Sequence, residues 1–159
     1  MYAGLRLEGV LTATVERDGS EATDTLAATI GASRFAKHLH AVLLQGITVA
    51  GFNVVDVHRL SAELRVPVIV VVRRVPDMAA IERALRERVR DGVHKWALVE
   101  RAGPVEPAGP VWIQRAGIDL EPARALVAQL SVHGHIPEPL RAAHLIAGAI
   151  ATGHSRGRT

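Results

Sequence analysis

The chain has 159 residues, 48% of them hydrophobic, with 3% aromatic and no cysteine, which fits one domain with an aliphatic core and excludes disulfides and thiolate metal sites. The formal charge is +3, from 19 Lys and Arg against 16 Asp and Glu, so nucleic-acid binding is permitted and not demanded. No apolar run reaches membrane-spanning length and the start has no signal-peptide core, so the expectation is a cytoplasmic protein with no membrane partner.

"LEGVLTATVERDG" (7–19) alternates and is rich in Val and Thr, which predicts a strand closing at Asp18-Gly19. "SEATDTLAATIGASRF" follows as a helix capped by Ser20 or Thr23. "HAVLLQ" is short and almost wholly apolar, the pattern of a central strand buried on both faces. "FNVVDVHRLSAEL" predicts a helix through Phe52, Val55, Leu60 and Leu64, with Asn53 near its start. "VPVIVVVRR" (66–74) predicts a second buried strand, beside "HAVLLQ".

"PDMAAIERALRERVRDG" predicts an amphipathic helix from Pro76-Asp77 to Gly92, with Ile81, Leu85 and Val89 as its stripe. "KWALVE" and "PVWIQR" predict two more strands joined by "RAGPVEPAGP". "DLEPARALVAQLSVHG" predicts a helix capped near Asp119. "PEPLRAAHLIAGAIATG" predicts a last helix that buries Leu140, Ala143, Ile146 and Ile150, before a basic "HSRGRT" tail. Alternating strands and helices mean a layered α/β domain over 1–159 with helices on both sheet faces.

The chemistry is sparse. "QGITVAGFN" matches neither the dinucleotide nor the Walker phosphate loop. His38 with His40, and His133 with His135, have strand-ligand spacing but no third ligand of matching type, and His144 reads as a hydrogen-bonded core residue. Acids at strand ends or helix starts are Glu8, Asp18, Glu21, Asp56 and Glu138. Each by itself is an ordinary cap or solvated charge, and a metal site needs a fold that gathers them. The tip of the "HAVLLQ" strand, where α/β proteins place chemistry, carries the neutral Gln45.

"GITVAGFNVVDVHRL", "VPVIVVVRRVPD" and "IPEPLRAAHLIAGAIATGHSRGR" together resemble the archaeal domain-of-unknown-function family 99, also called endonuclease dU. That family is similar to endonuclease V, so the resemblance implies a ribonuclease-H-like fold and a Mg²⁺-dependent endonuclease of DNA repair, acting on deaminated, deoxyuridine-containing DNA. It implies metal and catalytic roles for Asp18 and Glu21 in "RDGSEAT", and catalytic positions at Gln45 and His144. Glu138 and Arg141 fall in the aligned "PEPLR" block, and Arg141, Arg156 and Arg158 would hold DNA phosphates. Gln45 stands where the family carries a strand-end carboxylate, and the family's first Asp-bearing strand is expected to be missing. Reduced activity is therefore expected. The alternative is a non-catalytic nucleic-acid-binding relative or a pseudoenzyme; homo-oligomer formation is left open.

Overall fold

The computed structural model describes residues 1–155; Arg156 and Arg158 of the expected phosphate contacts lie outside the described residues. A short hairpin of β1 (Tyr2–Ala3) and β2 (Arg6–Leu7) opens the chain. Then follow α1 (Ala22–Gly31), β3 (Val42–Gln45), β4 (Thr48–Val49), β5 (Asn53–Val54), α2 (Val57–Leu64) and β6 (Val68–Val72). α3 (Met78–Arg88), α4 (Gly92–Arg101), β7 (Glu106–Ala108), β8 (Val111–Ala116), α5 (Leu120–Leu130) and α6 (Glu138–Thr152) complete the order.

The main sheet is mixed, with order β3-β6-β8-β7. β3 runs parallel to β6, with Gln45 opposite Val71, whereas β6–β8 and β8–β7 are antiparallel. Alternation along β6 divides the core. Val68 and Val70 face α1 and α2, packing with Ala22, Val57 and Leu60. Ile69 and Val71 face α5 and α6, packing with Ala123, Val127 and Leu140. The sheet therefore carries helices on both faces, as the sequence predicts. Each fully buried aliphatic side chain contributes about 1.5–3 kcal/mol. A third cluster joins α3 and α4 to the β4–β5 hairpin through Val54, Leu85, Trp96 and Val99.

Six expectations are corrected. Residues 8–16 form no strand, because their alternation supplies a face but no neighbouring strand takes up their backbone bonds. The pairing of "HAVLLQ" with "VPVIVVVRR" holds, yet β3 stands at an edge of the described sheet and Val42 and Leu43 are only half-buried. Asn53 belongs to β5, and its neighbouring helix begins later, after Asp56 caps it by accepting the Arg59 N–H. "KWALVE" lies in helix α4, whose buried residues Gly92, Lys95, Trp96 and Val99 have helical spacing. On α6 only Leu140 is buried; Ile150 is 66% exposed, and His144 is exposed and not a core residue.

Candidate functional site

Three hydrogen bonds from neighbouring elements fasten the turn at Asp18-Gly19. Asp18 adopts a left-handed backbone (φ 56°), a conformation Asp tolerates better than most residues. Its N–H donates to the Ala50 carbonyl at 2.9 Å, and its Oδ1 accepts the Phe52 N–H at 2.7 Å. The buried Lys95 donates from Nζ to the Asp18 carbonyl at 2.5 Å. Thus α4 and the β4–β5 hairpin together hold this turn.

Three residues on, Glu21 precedes α1. Its carboxylate accepts the Glu16 N–H and, at 3.1 Å, the Asn53 Nδ2–H. The Glu16 N–H, with the Asn53 amide contributing less, holds the Glu21 carboxyl below its ordinary pKa. Asn53 is fully buried and also donates to the Glu16 carbonyl at 3.0 Å while its Oδ1 accepts the Ala22 N–H at 3.0 Å. Sequence reasoning missed both Asn53 and Lys95. The available signal was a lone polar residue in the apolar "GFNVV" and a lysine beside His94 in the otherwise apolar "VHKWALV".

The remaining expected residues stand elsewhere. Gln45 ends β3 with an exposed side chain, and the next amide, Gly46 N–H, donates to the Val71 carbonyl. Glu138 and Arg141 meet in the first turns of α6 through two hydrogen bonds of 2.8 and 2.5 Å. The Arg141 guanidinium holds the Glu138 carboxyl low. Tyr2 titrates above its usual range because of burial and, secondarily, the charge of Glu138. The fold thus brings Asp18 and Glu21 together in one turn, and Glu138 and Arg141 together on α6, the helix that also carries His144. α1 and α6 pack on opposite sheet faces.

A resident Mg²⁺ would need several oxygen ligands with free lone pairs directed at one point. Among the described residues no group of three or more His, Asp or Glu side chains is placed to hold a metal ion. Asp18 Oδ1 and both Glu21 oxygens already accept N–H groups. Asp18 and Glu21 as arranged do not fit the ion, and Gln45 brings no charge to it.

Beside the turn is an open cleft of about 340 Å³ between residues 16–20 and residues 88–91. Arg17, Arg88 and Arg90 line it. Arg17 and Arg90 pair with their sequence neighbours Asp18 and Asp91 at 3.7 and 3.9 Å, with side chains 89% and 92% exposed. Exposed pairs of this length contribute little, which leaves both guanidinium groups available to a ligand.

The family model described as endonuclease dU matches residues 1–151. The chain belongs to the endonuclease dU family. Endonuclease dU membership points to a nuclease-type role with a nucleic-acid partner. The chain is 48% identical to a UPF0215 protein of Deinococcus radiodurans over 158 residues, covering 99% of this chain and 80% of that one. It is 46% identical to a UPF0215 protein of Methanothermobacter thermautotrophicus, covering 97% and 77%. A crystal structure of a protein of unknown function from Archaeoglobus fulgidus superposes with a TM-score of 0.90 at 38% identity, covering 94% of this chain and 86% of that one. Among the described residues no helix is long and apolar enough to cross a membrane.

Proposed function

We propose that the protein acts on DNA containing deaminated bases, with hydrolysis of a phosphodiester bond beside deoxyuridine as its reaction. The observation that carries this reading is the endonuclease dU match, which spans the Asp18–Glu21 turn, the Gln45 strand end and the Glu138–Arg141 helix start in one alignment. Magnesium dependence is tested by nicking across a Mg²⁺ series, because Asp18 and Glu21 as arranged do not fit the ion. The acids of the Asp18 turn are engaged in hydrogen bonds, so the chain as it stands is a slow nuclease. Arg141 sits on exposed α6 surface, where a guanidinium can meet a phosphate without a metal.

A second reading, a nucleic-acid-binding member without turnover, is favoured by one observation: the neutral Gln45 at the strand end, with no acid trio among the described residues. Nicking of a uracil-containing duplex across a Mg²⁺ series separates the two. Slow, Mg²⁺-dependent nicking that rises in Gln45→Asp supports the nuclease. Duplex binding with no nicking by either form selects the non-catalytic reading. Fast nicking that ignores Gln45→Asp means the strand end is not part of the site.

A further inference from the structure

We propose that the cleft between the Asp18–Gly19 turn and residues 88–91 seats the phosphate backbone of a nucleic acid, with Arg17, Arg88 and Arg90 as its contacts. This inference rests on the reading that the protein acts on DNA, and it places the strand on a surface other than the Arg141 helix.

Three observations carry it. The cleft volume of about 340 Å³ falls within the size range of ligand sites and admits a sugar-phosphate unit. The Lys95 ammonium, 1% exposed, lies behind the cleft wall through its bond to the Asp18 carbonyl. It adds a fourth positive charge to Arg17, Arg88 and Arg90, against the three acids Glu16, Asp18 and Asp91 that also line the space. The Asp18 carboxylate is turned toward the Phe52 N–H, which spends part of its negative field on the backbone.

Guanidinium groups fork onto phosphate oxygens, and such contacts give salt-dependent, sequence-independent affinity.

The test is fluorescence anisotropy of a labelled single strand and its duplex across a chloride series, run beside the uracil-nicking assay. Arg17→Ala/Arg88→Ala/Arg90→Ala is compared with Arg34→Ala/Arg65→Asn/Arg124→Ala, which removes the same charge elsewhere. The cleft variant is expected to bind about tenfold or more weakly, with the log–log salt slope reduced by roughly 2 to 3, since each lost contact removes about 0.7–0.9. The control keeps most of its slope. The single variant Arg88→Glu should weaken binding in the same direction, with Arg88→Lys restoring part of it. Equal losses in cleft variant and control overturn the proposal, because they show net charge alone. Displacement of the strand by inorganic phosphate well beyond chloride of equal ionic strength also overturns it, in favour of a small-anion site. Wild-type nicking with an unchanged cleft variant defeats this inference and leaves the nuclease intact. Cleft-dependent binding without nicking defeats the nuclease and leaves this inference intact.

Discussion

Lys95 Nζ and the Asp18 carbonyl lie 2.5 Å apart, joining the middle of α4 to a turn 77 residues earlier in the chain. The lysine stem is buried with Trp96 and Val99 on the same helix, so the ammonium reaches the turn from beneath. Lys95→Met keeps the stem's shape and removes the donor. The carbonyl then loses its partner, and the expected cost is about 1–3 kcal/mol in urea unfolding. A variant as stable as wild type would show that the carbonyl finds water instead.

Asn53 ties three segments with one side chain: the Glu16 carbonyl, the Glu21 carboxylate and the first N–H of α1. Asn53→Leu strands all three groups. Net contributions of about 0.5–1.5 kcal/mol per bond predict a loss of about 2–4 kcal/mol. Hydrogen exchange should localise the loss to residues 16–25. Uniform acceleration over the whole chain would argue against a local hub.

Glu21 sets part of the acid limit. Its folded pKa is lowered, first by the Glu16 N–H. The stabilisation is therefore complete above the ordinary glutamate value near 4.3 and is lost as pH falls through the lowered folded value. Glu138 adds to the same limb through Arg141. Stability measured against pH should fall less steeply on the acid side in Glu21→Gln than in wild type. Parallel curves would remove Glu21 from the account.

Gly92 opens α4 against the end of α3. A Cβ there would stand 1.9 Å from the Leu85 carbonyl oxygen, a backbone atom that cannot turn away. Gly92→Ala should force the two helices apart at a cost of about 2 kcal/mol or more. Thermal unfolding checks it, with Gly31→Ala as a control, because nothing lies within 4 Å of a Cβ at that position.

Much of the layered architecture was legible. The run through Val68–Val72 and the helix start at Asp77 follow from local patterns, and each appears in the structure. α4 was misread because Lys95 counts as polar, which breaks the 92, 95, 96, 99 stripe and leaves an apolar scrap resembling a strand. In the sequence Gly92 reads as the stop of α3, whereas α3 ends at Arg88 and Gly92 starts the next helix. The edge position of β3 depends on which strands pair, and that is a tertiary fact. Asp18 and Glu21 were singled out as metal ligands by resemblance. Their hydrogen bonds to Phe52, Glu16 and Asn53 were invisible because two of those partners lie more than thirty residues away.

The sheet joins two pieces of unequal reach. β7 and β8 are linked by Gly109 and Pro110 alone, and β3 reaches β6 through the β4–β5 hairpin and α2. The β6–β8 ladder instead brings residues 68–72 against 112–116, across α3, α4 and β7. Closing that longer loop is the slower search, since its entropy must be spent before any rung forms. Folding is thus expected to wait on this single seam, with two locally closed halves preceding it. Substitutions such as Ile69→Val, whose side chain packs with Ile113 and Val127 across the seam, should then slow refolding more than comparable changes inside either half.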